Sequence, residues 1–169
     1  LLDCGVPLSV LERLADADAF RSMGLDRRQA LWEVSALADH PTGLFEGHPS
    51  ASSREREVVL PAVSSKEHVF QDYGSTGLSL KAHPVSFARQ QLDALHVTPC
   101  GKLGELQDGS LIKVCGLITV RQRPGTAKGV LFVTIEDETG YANLVIWGKT
   151  FEVFRKVILQ SKMLMVMGK

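Results

Sequence analysis

The sequence carries no net formal charge: 19 Lys and Arg balance 19 Asp and Glu. Any argument for a polyanionic partner must therefore rest on where the charges sit, not on their sum. Cysteine is scarce. Cys4, Cys100 and Cys115 are far apart and odd in number. No CxxC, HxH or HxxxH spacing accompanies them, so neither a zinc site nor a disulfide framework is expected. A reducing cytoplasm fits that usage. No apolar run approaches the ~18 residues of a membrane span, and no signal peptide is visible. No Ser/His/Asp or Cys/His constellation is present, so no catalytic residue is expected here. His40, His48 and His83 each precede a proline and read as turn or helix starts rather than metal ligands.

An opening on Leu1 rather than Met, and an end at Gly168-Lys169 inside an apolar run, read as a piece of a longer protein. Three kinds of segment follow one another. Val6 to Ala38 is helical. Ser9-Val10-Leu11-Glu12 has a capping-box pattern, with Leu11, Leu14 and Ala15 on one face. Gly24 is a left-handed stop, and Asp26-Arg27-Arg28-Gln29 opens a second helix with Ala30, Leu31, Val34 and Leu37 as its stripe. Residues 39–57 are rich in Pro, Gly, Ser and charge, which predicts a linker. Residues 58–108 predict a helical connector. Ser64 starts one helix that Gly74 stops, and Pro84 starts another with Val85, Ala88, Leu92 and Leu95 on one side.

Residues 109–169 read as β structure. In the first strand Ile112, Val114, Ile118 and Val120 alternate with Lys113, Cys115, Thr119, Arg121 and Arg123, and Gly116 interrupts the apolar row as a bend or bulge would. Two further strands alternate Leu131, Val133 and Ile135, then Ala142, Leu144 and Ile146, against outward Phe132, Thr134, Tyr141, Asn143, Val145 and Trp147. A helix with Phe151, Phe154 and Ile158 on one face and a fourth strand complete the order. Three strands, a helix and a strand match an OB barrel, which has five strands and a helix between the third and fourth. The predicted class is α+β: an N-terminal helical segment and an incomplete five-stranded Greek-key OB-fold lacking its last strand.

Cations and aromatics interleave on the outward side. Arg121, Arg123 and Lys128 can neutralise phosphates, while Phe132, Tyr141 and Trp147 offer flat faces to bases. With Lys113, Thr134 and Asn143 these are the candidate nucleic-acid-binding residues. The alternative is that Phe132 and Trp147 cover a neighbouring domain and that the cations belong to a solvated loop. The loop PGTAKG lacks the ending of a phosphate-binding loop and leads into a strand, which argues against a nucleotide pocket. Glu136, Asp137 and Glu138 are adjacent on a strand end and cannot converge on one metal ion; they read as a polar hairpin.

The stretch VRQRPGTAKGVLFVTIEDETGYANLVIW resembles the OB domain of bacterial C-family DNA polymerases, in their error-prone branch. LERLADADAF and GLDRRQALWEV resemble the closing helices of the helix-hairpin-helix region that precedes it, and GLSLKAHPVSFARQQL resembles the connection between the two. One departure is clear: the Gly24-Leu25-Asp26 turn lacks the second glycine of a GxG hairpin. The resemblance implies closing helices over 1–38 and an OB-fold over 109–169. It implies a single-stranded or primer-template DNA partner during translesion synthesis, DNA repair and replication in the cytoplasm. It also implies a sliding clamp and a mutagenesis-cassette protein as partners, and Mg-dependent nucleotidyl transfer by metal ligands outside this chain. The competing expectation is an OB module that docks a polymerase partner subunit.

Overall fold

The computed structural model describes residues 5–37, 60–127 and 129–169. The predicted linker, 39–57, and Lys128 lie outside the described residues. The chain divides into two compact units, residues 1–81 and 82–169. The stretch 58–108, read from sequence as one connector, is shared between them.

The first unit holds α1 (Leu8–Asp16), α2 (Arg27–Ala36) and α3 (Ser65–Ser75). Leu11 and Ala15 of α1 pack on Ala30 and Val34 of α2. Leu14 and Leu37, expected in those stripes, are exposed. Asp26 caps α2 as its spacing implies, accepting from the Gln29 amide at 2.8 Å. Ser64 does the same for α3 at 3.2 Å. The expected capping box of α1 is absent, because the helix starts two residues earlier, with Pro7 at its cap and no side-chain bond. Gly24 is left-handed at φ 79° and ends the short 3-10 turn Arg21–Met23.

Arg27, which at a helix start reads as solvated, is instead buried. It donates to Gln71 Oε1 at 2.8 Å and is hydrogen-bonded to Asp72. Asp72 also accepts from Ser79 at 2.7 Å and Lys81 at 2.9 Å, and Lys81 reaches Asp18 at 2.7 Å. Burial alone would raise the Asp72 pKa. The hydrogen bonds from Ser79, Lys81 and Arg27 outweigh it and hold the group at about 2.

The second unit is a curled antiparallel half-barrel with a helix. Its strands are β1 (Ile112–Gln122), β2 (Leu131–Asp137), β3 (Gly140–Ile146) and β4 (Met163–Gly168), in the sheet order β3-β2-β1-β4. The helix α5 (Gly148–Gln160) falls between β3 and β4, as the OB order requires. Val114, Leu131, Val133, Ile135, Ala142 and Ile146 form the core with Phe151 and Ile158 of α5. Phe154 was expected in that stripe. It has non-helical angles (φ −107°, ψ 17°) that kink α5, and it stands exposed.

Gly116 is needed for close approach. A Cβ there would sit 2.6 Å from the Glu136 carbonyl oxygen of β2. A short 3-10 turn, Pro84–Ala88, leads into α4 (Arg89–Ala94), and Val85, Leu92 and Val97 cover Cys115 and Leu117 on the outside of β1.

Candidate nucleic-acid interface

Side chains paired directly across an antiparallel sheet point to the same side, so the register defines the outer face. Gln122, Phe132 and Val145 form one cross-strand row, and Val120, Thr134 and Asn143 form the next. Leu117, Glu136 and Tyr141 form a third, but the connector covers its β1 member. Trp147 continues the outward positions of β3 and caps α5. Phe132 is 40% exposed, Tyr141 69% and Trp147 67%, so flat apolar surface is open along the whole face. Thr134 Oγ1 donates to Asn143 Oδ1 at 2.8 Å, which fixes that amide in the middle of the face.

The cations are arranged differently from the sequence expectation. The β1–β2 register shifts between Ile118 and Val120, leaving Thr119 as an extra residue on β1. From Val120 onward the alternation is inverted. Val120 and Gln122 face outward beside Thr134 and Phe132, whereas Arg121 pairs with inward Val133. The expected sharing of one face by Arg121, Arg123 and Phe132 is therefore corrected: a bulge slips the strand by one position and exchanges the two faces. Arg121 is occupied in holding α5, donating from Nε to the Ile158 carbonyl at 2.9 Å and from Nη2 to the Ser161 carbonyl. Such bonds satisfy the orphan carbonyls of a helix C-terminus. Arg123 lies over the ring of Phe151, 4.7 Å from its centroid.

Lys113 is also off the two open rows. It sits at the far end of β1, opposite Met167, and donates to the Leu95 carbonyl at 3.2 Å. Of the nine candidates, Phe132, Thr134, Tyr141, Asn143 and Trp147 share the face, Lys113, Arg121 and Arg123 do not, and Lys128 lies outside the described residues. Val120 and Gln122, which alternation alone assigns wrongly or overlooks, join it. The doublet of apolar outward positions Phe132 and Val145 was the available signal for their row.

The end of the face near Tyr141 is fixed by Asp137. Its carboxylate is buried and accepts from the amides of Cys100 at 2.8 Å, Thr139 at 2.7 Å and Gly140 at 3.1 Å, and from Thr139 Oγ1 at 2.6 Å. Arg89 of α4 pairs with it at 3.1 Å and also with Glu138. Burial would raise the Asp137 pKa, but the bonds from Thr139 and Cys100 carry it below the ordinary carboxylate value. Burial and the neighbouring Asp137 charge push the Cys100 thiol up to about 12. Asp137 thus fastens the connector to the β2–β3 hairpin, which is the polar-turn reading with a second task added.

The geometry describes a small curled sheet with an open aromatic and polar exterior. Residues 112–169 match the family of OB-fold nucleic acid binding domains; the strand order and the helix between β3 and β4 agree with that fold. Nearly the whole chain is in turn similar to error-prone DNA polymerases. It is 48% identical over 170 residues to that of Caulobacter vibrioides, covering 98% of this chain and 15% of the relative. It is 48% identical over 173 residues to error-prone DNA polymerase 1 of Rhizobium meliloti, covering 99% and 16%. The error-prone DNA polymerase of Brucella melitensis is 48% identical over 158 residues, covering 92% and 15%. The chain is similar to one stretch of the error-prone DNA polymerases and spans about 15% of the length of these curated relatives.

Proposed function

We propose that this chain is part of an error-prone DNA-directed DNA polymerase and that its OB domain holds single-stranded template on the outer face of β1, β2 and β3 during translesion synthesis and repair. The observation that carries the reading is the pair of open cross-strand rows, Gln122–Phe132–Val145 and Val120–Thr134–Asn143, with Trp147 beside them. Phe132 and Trp147 supply stacking surfaces, and every base has a π-face, so such a surface accepts any sequence. Asn143, held by Thr134, donates to base edges from its amide nitrogen. Tyr141 extends the platform towards the Asp137 hairpin. Arg121 serves as a positioning residue for α5, and Arg123 and Lys113 are flanking cations for the phosphates.

Nucleotidyl transfer and its Mg ions belong, in this reading, to parts of the polymerase outside this chain. A sliding clamp and a mutagenesis-cassette protein would be its partners, as the resemblance implies. Oligo-dT binding to the 169-residue chain, followed by anisotropy, tests the proposal. Phe132→Ala and Trp147→Ala should each weaken binding by roughly tenfold, the effect of losing one stacked base. Unchanged affinity in both variants would place the DNA elsewhere.

A further inference from the structure

A second surface lies on α5. Its buried side is Phe151 and Ile158, yet Val153 is 74% exposed and Phe154 and Val157 are each 53% exposed. Val153 and Phe154 lie at the kink and Val157 stands three residues beyond it; all three are exposed and make an apolar ridge on α5. Beside it lies a shallow open surface formed by Glu152, Val153, Arg155, Lys156, Leu159 and Gln160 of the same helix. A soluble surface seldom presents so many large apolar side chains on one short helix without a partner.

The charges beside the ridge identify that partner. Lys149, Arg155, Lys156 and Lys162 stand against the single carboxylate Glu152 over this stretch of a chain with no net charge. Among the described residues, none of these four cations takes part in an ion pair. Even Glu152 and Lys156, at the favourable four-residue spacing, are not paired. Val153, Val157 and Leu159 are aliphatic and Phe154 is the one ring beside them, so aliphatic surface predominates and the ridge suits a protein better than a nucleic acid. We propose that α5 is a docking ridge for an acidic amphipathic helix of a protein partner. The partner's aliphatic stripe would cover Val153, Phe154 and Val157, and its carboxylates would meet Arg155 and Lys156. This surface is separate from the β1–β3 face and does not depend on DNA binding there.

Two synthetic helical peptides test it, one patterned from Leu and Glu and its counterpart from Leu and Lys, each titrated into the 169-residue chain. The Leu/Glu peptide should bind roughly tenfold more tightly or better. A Val153→Ser, Val157→Ser variant should lose roughly tenfold of that affinity, and it leaves the buried side of α5 intact. Arg155→Glu with Lys156→Glu should reverse the preference between the peptides. Equal binding of the two peptides, or full binding by the double serine variant, would overturn the proposal. Displacement of the peptide by oligo-dT would overturn it in favour of a nucleic-acid surface. Self-association through α5 in sedimentation would overturn it in favour of a second copy. In a complete polymerase carrying Val157→Cys, the thiol should alkylate quickly until the peptide is added. Protection without peptide would show that the polymerase covers its own ridge and would also overturn the proposal.

Discussion

At the scale of single residues, the decisive case is Arg121. One extra residue on β1 moves it from the proposed DNA face to the C-terminus of α5, where it serves two carbonyls. Hydrogen bonds to a charged group contribute about 1.5–3 kcal/mol. Arg121→Ala should therefore lower the thermal stability of the OB unit, with faster amide exchange at the end of α5. The slope of oligo-dT affinity against salt should stay as it was. A flattened slope with unchanged stability would return Arg121 to the phosphates. Gly116 is the second case. Because a Cβ there meets the Glu136 carbonyl at 2.6 Å, Gly116→Ala has to push β1 and β2 apart. A loss of about 2 kcal/mol is expected from overpacking of this kind, readable as a lower melting temperature. A neutral effect would mean that the strands part without cost.

At the scale of elements, the connector is held by one buried carboxylate. Asp137 collects four hydrogen bonds from the Cys100 segment and its own turn, and a salt bridge from α4. Cys100 beside it is buried, with its thiol pKa at about 12, so it should resist alkylation in the native protein. Asp137→Ala removes the fastening and the repelling charge together. Cys100 should then react readily with iodoacetamide, and continued protection would show that the connector holds without Asp137.

Most of this architecture was legible from pattern. The period-2 rows of β2 and β3, the helix between β3 and β4, and the caps Asp26 and Ser64 all stand where spacing places them. What alternation could not carry was the slip at Thr119, because a bulge leaves the residue types unchanged while exchanging their sides. It missed the kink at Phe154 for a similar reason: helical spacing assumes an unbroken helix. Arg27 and Asp137 were read as surface groups, since nothing local to either announces partners 44 and 37 residues away.

At the scale of the whole molecule, each unit contains an arginine–aspartate pair whose carboxylate is buried, and acid should act on both. For Asp72 the sign follows from its lowered pKa. The group sits at about 2 in the folded unit against 3.8 as the ordinary value, so its stabilisation is complete above pH 4. It is lost as the pH falls from about 4 towards 2, and it amounts to about 2 kcal/mol. Amide exchange in α3 should accelerate over that window, and Asp72→Asn should remove the acceleration. An unchanged profile in that variant would assign the acid sensitivity to another group.

The rearranged cations also change what DNA binding should look like. With Arg121 and Arg123 off the open rows, few phosphates are neutralised directly on the face. The affinity for single strands should therefore depend only weakly on salt, by about 0.7 in logarithmic slope for each phosphate contacted. The most direct measurement is residue-resolved NMR of the 169-residue chain titrated with oligo-dT. The expected shifts fall on Val120, Gln122, Phe132, Thr134, Asn143, Val145 and Trp147. Shifts confined to α5, to Lys113 or to the first unit, with these seven residues silent, would contradict the assignment of the template to the outer face of β1, β2 and β3.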